Sequence, residues 1–291
     1  MTELQNKFIG TAMRAYRRSP LWPHAGQFLA KALSLATRGR PNIVTKSIDG
    51  LTYELHLDEV IDASIYFSGS FEKKIEDLMD DLVLPGATAI DIGANVGYHT
   101  VRLARNTGVN GRVIAIEPTS WARVRLERNI ELNGFENVLI QALGLSTGEE
   151  GNISVSFQSS YPLSGVPINV AEQVRLTSLD ILLEELNIEK VDFIKLDVDG
   201  YEEKVVRGAL QTLQGNHPVL LVEVTPSAPL QETCGALSIL EELGYVLFDE
   251  DRRFIEQAST SSRWQKGTSP VNLIALPPSY RTGALPRSFT R

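Results

Sequence analysis

Apolar and polar positions along the 291 residues change period repeatedly, and the changes mark out strands and helices. Short apolar runs at 88–92, 112–116, 138–142, 191–196, 218–224, 244–248 and 271–276 have the length and character of buried strands. Helical spacing fills the intervals at 97–106, 119–133, 178–187, 201–213 and 231–243. Regular alternation of this kind predicts an α/β fold, a doubly wound and mostly parallel seven-stranded sheet. Upstream, runs at 43–48 and 51–57 flank Asp49-Gly50, the residue pair of a two-residue hairpin turn. In the second run Tyr53, Leu55 and Leu57 alternate with Glu54 and His56, which places His56 on the solvent phase. Residues 64–71, with three aromatics, lead into an amphipathic helix through about Val83 and stand where they would cover a pocket at the end of the next strand.

Three segments fall outside this rhythm. Residues 24–38 space apolar side chains as a helix does, with Lys31 and Arg38 off the stripe. The plain expectation is a helix packed on the domain; the alternative is a basic amphipathic segment touching an anionic membrane surface. Residues 151–176, rich in Ser and containing Pro162 and Pro167, read as an irregular excursion and a candidate substrate lid. From Pro277 the chain is rich in Pro, Arg, Ser and Thr and reads as a disordered tail. The expected organisation is thus a basic extension (1–42), a hairpin and helix (43–84) capping the main α/β domain (85–276), and a tail (277–291).

Composition narrows the classes. With 43% apolar and 22% charged residues the chain can build an ordinary core. One cysteine, Cys234, excludes an internal disulfide framework and a cysteine-rich zinc site, and fits a reducing cytoplasm. No apolar run has the length of a membrane span, and the first residues lack the apolar core of a signal peptide. Charge is divided unevenly: eight Lys/Arg against one acid in 1–46 and three Arg in 277–291, leaving 17 basic and 35 acidic residues, net −18, for 47–276. A polyanion would be repelled by that body, so nucleic acid is not the expected partner.

The chemistry concentrates at strand ends. After the run ending at Ile92 comes Gly93-Ala94-Asn95-Val96-Gly97, with Asp91 just before it. Glycines there permit positive φ and close approach of a ligand to the backbone. The spacing is not the G-x-G-x-x-G of dinucleotide sites, and Asp91 would repel a diphosphate. An acid directly ahead of the glycines is instead the pattern of an S-adenosylmethionine pocket. Glu117 closes the next strand 26 residues after Asp91, where a carboxylate can accept from both hydroxyls of a ribose. The strand at 191–196 ends in Asp197-Val198-Asp199-Gly200-Tyr201-Glu202-Glu203. In a doubly wound sheet this end adjoins the end at Asp91, so Asp91 and Asp197 are expected to converge. Glu202 and Glu203 are suited to the first turn of the following helix. Glu223 closes an apolar central strand, where an acid needs a role or a partner.

Together these segments resemble the FkbM-type methyltransferases, a branch of the Rossmann-like class I S-adenosylmethionine-dependent enzymes. The resemblance is carried by Ile61 to Phe67 with Gly69 and Glu72, Asp91 to Thr100, Ile116-Glu117-Pro118, Asn133, Ala142-Leu143, and Phe193 to Glu202 with Gly208-Ala209. Asp199 stands where that family usually has Glu, a carboxylate shortened by one methylene. The resemblance implies O-methylation of a hydroxyl on a sugar, polysaccharide or secondary metabolite. Asp91 is then expected at the methionine end of the cofactor, with Gly93, Asn95 and Gly97 shaping the loop, Glu117 on the ribose and Leu143 near the adenine. Asp197 lines the methionine side, Asp199 is the preferred base, and Glu202, Glu223 and His99 are further candidates. Three alternatives stay open on the sequence: a divalent metal held by Asp197, Asp199 and Glu223, a nucleotide-binding oxidoreductase, and a non-catalytic scaffold. The acceptor and the oligomeric state are not specified.

Overall fold

A computed structural model describes residue 37 and residues 41–148, 151–158, 169–198, 200–224, 230–258, 271–282 and 289. The expected helix at 24–38 lies outside these, apart from Thr37. An antiparallel hairpin of β1 (Ile43–Ile48) and β2 (Leu51–His56) comes first. Asp49 and Gly50 take φ of 51° and 79°, the left-handed pair that a tight hairpin turn with matched twist requires. Leu51, Tyr53 and Leu55 face inward and pack on Tyr98, Val101, Leu126 and Ile130.

Helix α1 (Val60–Ser68) follows, then α2 (Lys73–Leu82). The aromatic lead-in is therefore largely helical, beginning before residue 64. Ser64 and Ser68 bond back to the carbonyls of Val60 and Ser64, so their hydroxyls are satisfied inside the helix. Gly69 then ends it with φ 74° and returns its N–H to Ile65.

The main body alternates as expected: β3 (Thr88–Ile92), α3 (Tyr98–Thr107), β4 (Arg112–Ile116), α4 (Ser120–Asn133) and β5 (Val138–Gln141). Three strands of a separate small sheet interrupt it: β6 (Gly144–Leu145), β7 (Asn152–Gln158) and β8 (Asn169–Thr177). Alternation then resumes with α5 (Leu179–Glu185), β9 (Phe193–Leu196), α6 (Glu202–Arg207), α7 (Leu210–Asn216), β10 (Val219–Val224) and α8 (Leu230–Glu242). β11 (Val246–Asp249), β12 (Val271–Leu276) and α9 (Ser279–Thr282) complete it. The main sheet has seven strands in the order β11-β12-β10-β9-β3-β4-β5, parallel from β10 to β5, with β12 antiparallel to both its neighbours. Side chains alternate between two buried faces. Ile90, Ile92, Ile114, Ile116, Ile194 and Leu196 fill one, while Ala89, Val113, Phe193, Leu221 and Ile274 fill the other beneath α2 and α3.

Three expectations need correction. Residues 152–158 and 169–176 are strands and not an irregular excursion, because β7 pairs antiparallel with β8, and β8 pairs parallel with β6, while residues 159–168, with Pro162 and Pro167, lie outside the described residues. The alternation of Ile153, Val155 and Phe157 with Ser154 and Ser156 carries the strand period that the serine content obscured. The single helix expected at 201–213 is two, broken at Gly208 and Ala209; a Cβ at Gly208 would lie 2.1 Å from the Ser146 carbonyl oxygen, so this close approach needs glycine. The tail is not wholly without structure either: α9 forms, and the buried Phe289 ring stacks edge-on to Phe248 at 5.0 Å. Among the described residues no helix is long and apolar enough to cross a membrane.

Candidate active site

Strand order reverses between β3 and β9, and there Asp91 stands opposite Lys195 in register. A cavity of about 660 Å³ opens over the carboxyl ends of β3, β4 and β9. The loop from β3 to α3 forms its floor. Gly93 has φ 81°, and a Cβ on it would lie 1.8 Å from the Asp197 carbonyl oxygen, so the β3 and β9 ends approach as only glycine allows. Gly97 (φ 83°) does not line the cavity; a Cβ there would meet Leu126 at 2.5 Å, so this glycine seats α3 against α4. Asn129 on α4 binds the loop through Val96 O at 2.8 Å and the hairpin through Glu54 N at 2.8 Å.

Asp91 is 0% exposed. Its Oδ2 accepts from the Thr100 hydroxyl at 2.6 Å, while Oδ1 is buried with no hydrogen-bond partner among the described residues. An orphaned carboxylate oxygen on a residue of the cavity wall calls for a donor from a ligand, such as an ammonium. Glu117 also lines the cavity; Oε2 accepts from Asn95 N at 2.8 Å, and Oε1 from Thr119 N at 2.9 Å and its hydroxyl at 2.6 Å. Burial pushes the Glu117 carboxyl above the usual glutamate range, against the pull of those donors from Thr119 and Asn95. Oε2, with a single donor, retains acceptor capacity toward a hydroxyl, whereas Oε1 already takes two.

On the other side Lys195, 3% exposed, donates to Asp197 Oδ2 at 2.7 Å. Burial works against its charge, but Asp197 and Asp91, with Glu72 beyond, outweigh it and hold its pKa above the usual lysine value. A buried cation is thus built between the two strand-end acids. A segment between α1 and α2 closes this side: Tyr98 Oη accepts from Phe71 N at 3.1 Å and donates to Glu76 at 2.7 Å, and His99 Nε2 lies 3.0 Å from Glu72 Oε2. At the opposite end Leu145, Ile153, Val174 and Leu176 make an apolar wall from β6, β7 and β8.

The cavity therefore gathers Asp91, Gly93, Asn95, His99, Glu117 and Asp197 of the expected residues. Leu143 is not on its wall; it is buried in the core beneath, while its neighbours Gly144 and Leu145 line the cavity. Glu202 is turned onto its own loop, accepting from Gly200 N at 3.0 Å, and does not line the cavity. Glu223 stands on β10 opposite Asn272 and does not line it either. Asp199 lies outside the described residues. Among the described residues no group of three or more His, Cys, Asp or Glu is placed to hold a metal ion. Sequence reasoning did not assign Glu72, Lys195, Arg125 or Tyr201 to the site, yet all four line it. Lys195 had a signal, a cation in the otherwise apolar run Phe193-Ile194-Lys195-Leu196. Arg125, ion-paired to Asp62 and stacked 4.9 Å over Trp121, had none.

Over residues 91–256 the sequence matches the methyltransferase FkbM domain. The chain belongs to this family. As an FkbM methyltransferase it uses S-adenosylmethionine. The residues present fit that group: Asp91 offers an unpaired acceptor, Glu117 an oxygen able to take a hydroxyl, and the Gly93 turn leaves the backbone bare. AMB antimetabolite synthetase AmbE of Pseudomonas aeruginosa is 25% identical over 69% of this chain, which spans 11% of that protein's length. Similar solved structures include the FkbM methyltransferase of Methylobacillus flagellatus, at 15% identity and TM-score 0.44, covering 88% of this chain and 58% of that one. M. jannaschii TYW2 in complex with AdoMet matches at 15% identity and TM-score 0.42, covering 81% and 86%.

Proposed function

We propose that this FkbM methyltransferase methylates a hydroxyl oxygen of a small molecule or sugar. Asp91, with Gly93 and Asn95, would hold the amino-acid end of S-adenosylmethionine, and Glu117 the ribose. When bound, that cofactor supplies an electrophilic methyl group. The chain's own work is then to place one acceptor oxygen in line, keep water away and receive a proton. Alignment alone contributes much of the rate in such displacements. An alcohol oxygen also has to shed its proton as it is alkylated, so a carboxylate within reach assists.

The observation that carries the reading is the unpaired, buried Oδ1 of Asp91 beside a cavity walled by further carboxylates, Glu72 and Asp197 among them. The named relative, an antimetabolite synthetase, supports a small-molecule acceptor, and the net −18 of residues 47–276 speaks against a nucleic acid. Titration calorimetry with S-adenosylhomocysteine tests the pocket, and tritiated S-adenosylmethionine with glycan, lipid-linked sugar and metabolite extracts of the source cell tests the acceptor. The expected result is binding together with label in an alkali-stable methyl ether. Label confined to a methylamine, or no binding of S-adenosylhomocysteine, refutes the proposal.

A further inference from the structure

We infer that Lys195 and Asp91 form a cradle for the zwitterionic amino-acid head of the cofactor, Lys195 taking its carboxylate and Asp91 its ammonium. The assignment of Lys195 rests on the methyltransferase reading above. Asp91 on β3 and Lys195 on β9 are direct partners in the parallel register, at the point where strand order reverses. Partners of this kind stand about 5 Å apart at the backbone and put their side chains on one face of the sheet. Both line the cavity, and both are almost wholly buried.

Opposite charges so placed would ordinarily pair, yet these two side chains do not bond to each other. The Lys195 ammonium is drawn to Asp197 Oδ2 at 2.7 Å, and Asp91 Oδ2 takes the Thr100 hydroxyl at 2.6 Å. Each is thereby held in place with capacity to spare. Asp91 Oδ1 has no partner among the described residues. Lys195 gives one of its three hydrogens to Asp197 and none to another described residue. Asp197 and Asp91 outweigh the effect of burial and keep the ammonium charged. A bare carboxylate oxygen and spare ammonium hydrogens on adjacent strands are the complement of an α-amino acid, whose own ammonium and carboxylate share one carbon. Burial makes each contact count, because a charge taken out of water depends on the few partners left to it.

The glycine turn does not supply these donors itself. The amides of Gly93 and Ala94 both bond the Ile116 carbonyl at 3.0 Å, and that of Asn95 goes to Glu117 at 2.8 Å. The Gly97 amide is spent on the Ala94 carbonyl at 2.9 Å. A carboxylate lying over this loop therefore finds those four amides already engaged, whereas such turns commonly meet an anion with them. The Lys195 side chain fills that role from the neighbouring strand.

Titration calorimetry on the full chain tests the assignment with S-adenosylhomocysteine, its analogue lacking the carboxylate, and 5′-methylthioadenosine, which lacks the whole amino-acid head. Wild type is expected to bind S-adenosylhomocysteine about 10- to 100-fold tighter than the decarboxylated analogue, the range of a hydrogen bond to a charged group. Lys195→Met should lose a factor of that size for S-adenosylhomocysteine, while 5′-methylthioadenosine affinity stays within about 3-fold of wild type. The double variant Lys195→Met with Asp197→Asn removes both members of the ion pair, so it folds even where the single variant does not, and should show the same pattern. Wild type that binds the decarboxylated analogue as tightly as S-adenosylhomocysteine overturns the assignment without any variant. Equal loss of all three ligands in the variants also overturns it and makes Lys195 a structural cation. Full S-adenosylhomocysteine affinity in Lys195→Met overturns it too, and gives the carboxylate to the first amides of α3. Wild-type protein that binds none of the three refutes the underlying reading instead.

Discussion

Replacing Gly93 by alanine isolates the feature on which the cavity floor depends. Two costs add at this position. An L-residue at φ 81° pays for the left-handed conformation, roughly 1–2 kcal/mol. The new Cβ would also lie 1.8 Å from the Asp197 carbonyl oxygen and 3.0 Å from its carbon, backbone atoms that no rotamer change can move. Separating the ends of β3 and β9 to ordinary contact needs a shift of roughly 1 Å or more, for which overpacking costs of about 1–3 kcal/mol apply. Gly86→Ala supplies the control: its φ is 84°, yet nothing lies within 4 Å of the added Cβ. Both variants share the conformational cost and the smaller unfolded-state gain; only Gly93→Ala carries the clash. At about 2 °C per kcal/mol for a chain of this size, Gly86→Ala should lower Tm by about 2–4 °C and Gly93→Ala by about 4–10 °C. Calorimetry should show S-adenosylhomocysteine affinity at least about tenfold weaker in Gly93→Ala, a loss of about 1.4 kcal/mol, and unchanged in Gly86→Ala. Equal Tm values with full affinity in both would refute the close approach of β3 to Asp197.

Three other perturbations have definite signs. Burial raises the Glu117 pKa in the folded state, so its contribution to stability is complete below the ordinary glutamate range, about pH 4, and is lost as pH rises through the raised value. Glu117→Gln removes that ionisation. The Tm difference between this variant and wild type should therefore grow more favourable to the variant from about pH 4 to about pH 8, while S-adenosylhomocysteine affinity falls by about 1.5–3 kcal/mol for the lost charged acceptor. Arg102, 2% exposed, bonds Glu76 (0% exposed), Asp80 and Asp49 at 3.2, 2.7 and 3.2 Å and so joins α3 to α2 and the hairpin turn. Arg102→Met leaves Glu76 buried without its cation and should cost about 3–5 kcal/mol in urea unfolding, part of which Glu76→Gln restores in the double variant. Phe289→Ala should cost about 3 kcal/mol by the same measurement, because it removes the buried ring that packs on Phe248; a change under about 0.5 kcal/mol would refute that packing.

Much of the architecture could be read from the chain because buried parallel strands are continuous apolar runs. Thr88–Ile92, Arg112–Ile116 and Val271–Leu276 begin and end where the hydropathy does. The Asp91 turn and Glu117 were legible for a related reason: an acid or glycine at a strand end interrupts that pattern and cannot be accounted for by burial. Local pattern carries no direction or distance, however. It did not show that β12 runs against its neighbours, nor that the helix is interrupted at Gly208, where the Ser146 carbonyl comes close. It missed the pairing of β7 with β8, whose serines masked a strand period.

For the site the division falls in the same place. Residue type and spacing along the chain determined which strand ends carry chemistry, since those positions depend on neighbours a few residues away. The meeting of Glu72 with His99 and Asn272, 27 and 200 residues distant, was decided only by tertiary packing. The hairpin, α1 and α2 are held on α3 by Tyr98, Arg102 and a buried apolar face, and that docking carries Glu72 to the ends of strands with which it shares no sequence pattern.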